Sequence, residues 1–574
     1  MASLDSSHIG AQSTPYISQP DDEDWDWFSD DRNHNEPTNV VLDDDDESAP
    51  AWEPQLGVQD IEAVTVAWTT GALGFVYIII WLTYFAEGIL SATTGILAPY
   101  VTSDFALHSL TPTVGILSSV IGGVTNLTLA KVLDVFGRPQ GYLFCILLAT
   151  IGLGMMTVCN SVQAYAAAQV LQTVGNNGIL YSRRQFSESD YMLVGRPNIL
   201  EVFERTWLAV GVWHVYDSCA GHYLPLFNTL LRNYLQARKL GLVPKTNGDA
   251  DLTASESLLY YCRQFDAVGL VLLSTGVALF LLPFNVYALP GWNLPLAIGI
   301  LITGSMLISG FVMWERRYAA ITFIPYSLLL DRTVLGSCLL AATLFTSFWC
   351  WNSFFGSYLQ VVNGLSVESA SYVVQLYTVC SVVCSIAVGA LIHYAGRFKP
   401  VCLYVGIPLS GVGSGLMMCF SKMESSVGYI IMCQVFISIA AGIIMVCDEV
   451  AILAAASDHH AAVCLAVLGM FSNIGSAIGL TVASAIWQEV FPKSLMQYLP
   501  PAELANLREI YANLSTQLSY SLGSETRIAI QHAYADAQMR MLAVGTTVWI
   551  AGFMGVIIWR DINVIGLQQN KGHV

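Results

Sequence analysis

The chain has 574 residues, 54% of them hydrophobic and 11% charged, with a mean hydropathy of +0.56. That apolar excess excludes a soluble domain of this length and points to a polytopic membrane protein. The formal charge of −18 is concentrated at one end: residues 1–62 hold 17 Asp and Glu against the single Arg32, and the remainder holds 25 acidic and 23 basic residues. The body is therefore close to neutral, and no nucleic-acid partner is expected.

Residues 1–66, with Asp21-Asp22-Glu23-Asp24 and the run from Asp43 to Glu47, are predicted to be an acidic, disordered cytoplasmic tail. Like charges and few aliphatic clusters cannot bury enough surface to offset chain entropy. Trp25, Trp27 and Phe28 stand among the acids as a candidate docking motif for sorting factors, beside the plainer reading of a solvated tail. Neither a basic n-region nor an early apolar core precedes the first span, so no signal peptide is expected.

Twelve stretches with the roughly 20 apolar residues needed for a crossing follow near 71–92, 113–133, 141–159, 162–182, 265–284, 293–313, 333–353, 370–394, 401–420, 427–446, 462–484 and 541–559. They divide the chain into a four-span N-terminal half at 67–182, an anomalous segment and cytoplasmic loop at 183–264, two linking spans at 265–325 and a six-span C-terminal half at 326–574. Lys131 to Arg138, Arg183-Arg184, Arg232 to Lys245, Arg316-Arg317 with Arg332, Arg397-Lys399, and Arg560 with Lys571 all fall on one side if the N-terminus is cytoplasmic. Residues 183–231 strain this count. They must cross an even number of times, yet Glu188, Asp190, Arg196, Glu201, Glu204 and Arg205 occupy their first half. At about 2.5–3.5 kcal/mol per central charge, that half is predicted not to insert.

The thirteen cysteines are scattered, most of them inside apolar spans, and read as small packing residues, not as disulfides or metal ligands. An external loop at 488–538 carries Asn513-Leu-Ser515, a glycosylation sequon on the correct face, with Pro501 to Ala512 and Arg527 to Met539 expected as surface helices. Asn126-Leu-Thr128 lies inside a span and reads as a chance match.

Two loops carry the repeat. Lys131-Val-Leu-Asp134-Val-Phe-Gly137-Arg138 joins the second and third spans, and Gly396-Arg397-Phe398-Lys399 joins the second and third spans of the last six. The first resembles the D-x-x-G-R loop of the major facilitator superfamily, with Ala130 in place of the leading glycine and Val135 in place of a frequent arginine. Further stretches narrow the likeness: Leu117 to Gly123, Leu129 to Gly141, Asp331 to Ala342, Leu359 to Ser366, Thr516 to Tyr520 with Arg527 to Gln531, and Trp559 to Val564. These resemble the fungal siderophore–iron transporters, and the likeness covers the chain from about residue 68 onward except 183–231.

The resemblance implies an all-α fold of two helical halves with two extra linking spans, inward proton-coupled transport of a ferric siderophore, and no permanently bound cofactor or protein metal site. The charged 183–231 segment stands where the family has its fifth and sixth helices, as a splice or gene-model product that returns to frame near Leu231 or as a shortened form. The resemblance also implies that Lys131, Asp134, Gly137, Arg138, Gly396 and Arg397 form cytoplasmic gating loops, and that Tyr520 and Arg527 of the last external loop make a first contact with substrate, beside the plainer reading of that loop as a solvated cap. A monomer in the plasma or an endosomal membrane is expected, with the iron chelate and the bilayer as partners.

Ionisable groups inside spans are costly and therefore candidates for coupling. Glu87, in Tyr84-Phe-Ala-Glu-Gly88, either carries a proton or reaches outer water. For Asp448-Glu449 the position favours a helix-end pair facing cytoplasmic water over proton coupling. His393 reads as an interfacial or latch residue, and His459-His460 as a loop pair that cannot both face one ion. Trp351, Asn352 and Phe355 offer aromatic walls and one amide for a bulky chelate, with an interfacial aromatic belt, which suits Tyr358, as the other reading. No nucleophile–base constellation appears, so an enzyme is not expected. The rival readings are a multidrug/proton antiporter, a non-transporting membrane sensor and an inactive product.

Overall fold

The computed structural model describes residues 99–100, 111–136, 138–194, 231–232, 235, 266–286, 294–318, 330–421, 426–456 and 461–564. Among them the fold is all helical, with one isolated bridge between Arg397 and Asn563 in place of any sheet. The acidic tail, the first span with Tyr84 and Glu87, Gly137, residues 195–230 and His459-His460 lie outside the described residues.

The helices of the first half are α1 (Thr111–Phe136), α2 (Arg138–Val158) and α3 (Val162–Val194). α3 runs past the expected end of its span at 182 and through Arg183-Arg184 to Val194. Its 33 residues make a rod of about 50 Å at 1.5 Å per residue, longer than the hydrocarbon layer. Helical hydrogen bonding therefore continues where hydrophobicity has stopped, and the sequence boundary marked the apolar stretch, not the helix. The linking pair is α4 (Ala267–Val286) and α5 (Leu294–Arg317), packed on each other.

The last six crossings begin with α6 (Arg332–Asn352), continued by the short α7 (Phe355–Val361). α8 (Val367–Ala395) follows, then α9 (Lys399–Phe420), α10 (Val427–Ala455) and α11 (Ala461–Tyr498). Short α12 (Leu507–Ala512) and α13 (Leu514–Ser519) lead to α14 (Glu525–Thr547) and α15 (Trp549–Ile558). Eight helices among the described residues are long and apolar enough to cross a membrane. Local sequence sets their ends. The side chains of Asp331, Ser366, Ser426 and Ser524 accept backbone N–H bonds at the starts of α6, α8, α10 and α14. Gly396, at φ 70°, stops α8 in a left-handed conformation that a side chain would strain. In α9 a π turn at Cys402–Gly406 precedes Pro408 and absorbs the backbone that a ring without an N–H displaces.

The expected external loop at 488–538 is much shorter. α11 continues to Tyr498 and α14 starts at Glu525, and the segment Arg527 to Met539, expected at the surface, buries Ile530, Ala533, Tyr534 and Ala537. Its polar composition hides the buried face because Arg527, Gln531 and Gln538 are themselves enclosed by helices.

α11 is the central element, packed against α6 and α14 of its own half and against α1 of the first. Glycine makes the α6 contact possible. A Cβ at Gly475 would lie 2.3 Å from the Ala342 carbonyl oxygen and one at Gly479 would lie 2.5 Å from that of Thr346. Thr346 Oγ1 donates to the Gly475 carbonyl at 3.0 Å across the same contact. This small-residue seam is how membrane helices pack without a hydrophobic driving force. Gly475→Leu is expected to force α6 and α11 apart and cost about 3 kcal/mol or more, measured as a lower melting temperature of the detergent-purified protein. Gly475→Ala is expected to cost less.

Candidate functional site

The aromatic group on α6 and α7 sits inside the C-terminal half. Trp351 is 1% exposed, and its ring meets Phe348 and Phe355 edge-on at 5.6 and 5.3 Å. The Trp351 carbonyl accepts from Gln538 Nε2 at 2.9 Å. Phe354 stacks on Trp487 at 4.0 Å, and Trp487 on Phe491 at 4.1 Å. Trp351, Phe355 and Tyr358 are thus core residues: Tyr358 is fully buried, which overturns the interfacial-belt reading, and Trp351 and Phe355 present no open wall to a ligand in this conformation. Phe348, Trp349 and Asn352 keep partial exposure.

Asp448 does not sit at a helix end. α10 extends seven residues beyond it to Ala455, and the side chain is 4% exposed. It faces Ser337 on α6, with Cys402 of α9 and Glu449 close by, and its Oδ1 has no hydrogen-bond partner. Hydropathy falls at the acidic pair and so places the end of this span at 446, whereas the helix carries on to Ala455. Glu449 is half-buried.

The cap formed by α7, α13 and the start of α14 encloses Arg527, which is 3% exposed. Its Nε donates to the Val361 carbonyl at 3.2 Å, Nη2 to that of Gln360 at 3.1 Å and Nη1 to that of Gln517. Gln531 Nε2 adds bonds to Val361 and Val362 at 3.2 and 3.0 Å. The guanidinium therefore ties the open carbonyl end of α7 to α13 and α14. It is not free to meet a ligand, contrary to the external-loop expectation. Gln360 also receives the hydroxyl of Tyr100, from the segment before α1. Tyr520 donates to Glu503 Oε2 at 3.1 Å. Burial first, and then the bond to this carboxylate, push its phenol above the usual tyrosine value, so it remains a neutral donor at physiological pH. Asn513 caps α13, its Oδ1 accepting from Ser515 N at 2.8 Å and Thr516 N at 3.4 Å.

The basic loop of the last six helices grips the C-terminal segment. Arg397 bridges to Asn563, Val564 N donates to the Gly396 carbonyl at 2.9 Å, and buried Phe398 meets Trp559 edge-on at 5.8 Å. Lys399 Nζ donates to the Ile557 carbonyl at 3.0 Å and to that of Trp559, satisfying carbonyls at the end of α15. Arg560 pairs with Asp331 at 3.1 Å, and its N–H donates to Thr333 Oγ1 at 3.2 Å. Gly396 and Arg397 are held within their own half. In the first half, Lys131 and Asp134 fall on the last turns of α1 and Arg138 opens α2, while their side chains lie outside the described residues. Lys399→Ala is expected to lower stability by about 1–2 kcal/mol, because it removes a charged donor from two carbonyls. Arg560→Ala, at an exposed pair, should cost under about 1 kcal/mol. Melting of the two variants side by side checks the order.

A third group lies where the halves meet. A Cβ at Gly123 of α1 would sit 2.7 Å from Cβ of Asn473 on α11, and one at Gly122 would sit 2.8 Å from Nδ2 of Asn177 on α3. Asn126, one turn further along α1, lies over Gly469 of α11, where a Cβ would meet its Nδ2 at 3.2 Å.

No protein-family model matches the chain. It is 43% identical over 545 residues to "MFS siderochrome iron transporter 1" of Ajellomyces capsulatus, covering 91% of this chain and 92% of the relative. "MFS siderochrome iron transporter D" of Aspergillus fumigatus is 37% identical over 558 residues, with 93% and 92% covered. "Siderophore iron transporter mirB" of Emericella nidulans is 35% identical over 557 residues, with 92% and 91% covered. Among solved structures, an auto-inhibited POT family peptide transporter superposes with a TM-score of 0.51 at 14% identity, over 86% of this chain and 99% of that one. That likeness concerns the fold alone.

Proposed function

Because the chain belongs to the major facilitator family of siderochrome iron transporters, we propose that it imports ferric siderophore chelates together with protons by alternating access. It is a multi-pass membrane protein and not an enzyme; in the proposed arrangement the N-terminus is cytoplasmic and the membrane is the plasma or an endosomal one. The substrate is the iron chelate itself, bound between the two halves, which rock about it. Iron then arrives already coordinated, so the protein needs no ligand set of its own.

The observation that carries proton coupling is Asp448, a buried carboxyl with an unpaired oxygen inside a membrane helix. Such a group is expensive unless its protonation is part of the cycle. The contact of α1 with α11 supports alternating access, since it is an interface between two helical sets that can open on one side. Glu87 lies outside the described residues and stays the second candidate carrier.

The test is accumulation of radioiron chelates by iron-starved yeast that lacks its own siderophore transporters. Expected is saturable uptake that a protonophore abolishes. Drug resistance without iron accumulation would instead establish a multidrug/proton antiporter.

A further inference from the structure

We infer that Asn126, Asn177 and Asn473 form a substrate-contact site between the halves, one that binds the uncharged carbonyl and amide groups of the chelate. The inference rests on the transport reading above and assigns residues to it. Asn177 of α3 and Asn473 of α11 flank the Gly122-Gly123 step of α1, and Asn126 lies one turn further along α1, beside Gly469. Gly469 and Asn473 are one turn apart on α11, so Asn126, over Gly469, and Asn473, beside Gly123, lie within about one helical turn of each other.

Their depth fits. Asn126 precedes the α1 terminus at Phe136 by ten residues and Asn473 follows the α11 terminus at Ala461 by twelve. At 1.5 Å per residue these are about 15 and 18 Å from those helix ends, close to half of a hydrocarbon layer of about 30 Å.

Their hydrogen bonding is incomplete. Asn126 is 8% exposed with Oδ1 unpaired, and the enclosed Nδ2 of Asn177 is unpaired too. Asn473 spends its Nδ2 on the Gly469 carbonyl at 2.8 Å and remains half-buried. A cluster kept only for packing would pair with itself, because an unpaired buried amide costs about 1–3 kcal/mol. Two orphan atoms of opposite character, one acceptor and one donor, instead suit a guest with both kinds of group. Carboxamides also carry no charge, so the site adds no ionic preference of its own.

The experiment uses the full chain purified in detergent. A neutral ferric trihydroxamate is titrated against its tryptophan fluorescence, with the melting temperature recorded in parallel. Asn126→Ser, Asn177→Ser and Asn473→Ser shorten the side chains without adding volume. Each is expected to raise the dissociation constant about three- to tenfold, the loss of one neutral hydrogen bond, and to raise KM for uptake by the same factor while Vmax and melting stay near wild type. Wild-type affinity in all three variants, with or without a lower melting temperature, would overturn the site and leave the transport reading intact. No saturable quenching in the wild type would overturn the transport reading and the site together.

Discussion

Arg527→Ala is expected to destabilise the cap around α7, α13 and α14 by about 3–5 kcal/mol and to cut surface delivery sharply. The side chain donates to three carbonyls on two segments, those of Gln360 and Val361 on α7 and of Gln517 on α13. Its removal leaves the Gln360 and Gln517 carbonyls without this donor in a site water does not reach, while Gln531 still holds Val361. Lysine keeps the charge, but a single ammonium cannot span the three acceptors as a planar guanidinium does. Arg527→Lys should therefore fall between wild type and alanine. Melting of the purified variants together with surface labelling checks this. Wild-type melting for Arg527→Ala would show that the carbonyls re-pair, and would return Arg527 to the role of a ligand contact. Because Gln360 also accepts from Tyr100, a loosened α7 should weaken this contact between the two halves.

Asp448→Asn is expected to lower concentrative uptake at least about tenfold, with surface level and chelate binding near wild type. Asparagine keeps the shape and the polarity toward Ser337 but cannot exchange a proton. An ionised carboxylate at this depth forms no ion pair among the described residues, and α10 continues for seven residues beyond it. The informative comparison is net uptake against exchange of chelate already inside vesicles. Loss of both would mean a misfolded or ligand-blind protein, and full retention of net uptake would remove Asp448 from coupling in favour of Glu87.

The positions of the crossings were legible because a bilayer imposes a simple length and composition rule, as α5, α8 and α9 illustrate. Helix ends were less legible. α3, α10 and α11 all outrun their apolar stretches, since backbone hydrogen bonding does not stop where hydropathy falls. The loop at 488–538 shows the converse: its polar residues read as water-facing, yet Arg527, Gln531 and Gln538 are polar because they bond to buried carbonyls. Asn126 lies inside a helix, as a chance sequon match would, and only the approach of α11 shows what surrounds that amide.

By itself, the sequence determined that this is a polytopic helical membrane protein with a repeated basic loop, and its motifs determined the family, because both depend on residues near one another in the chain. Only the tertiary structure decided which polar residues are structural and which are left unpaired. Arg527 is satisfied by carbonyls 10, 166 and 167 residues away, whereas Asp448 and Asn126 keep orphan oxygens in equally buried places. That distinction is set by which helices come together, and hydrogen-bond satisfaction across helices has no local signature.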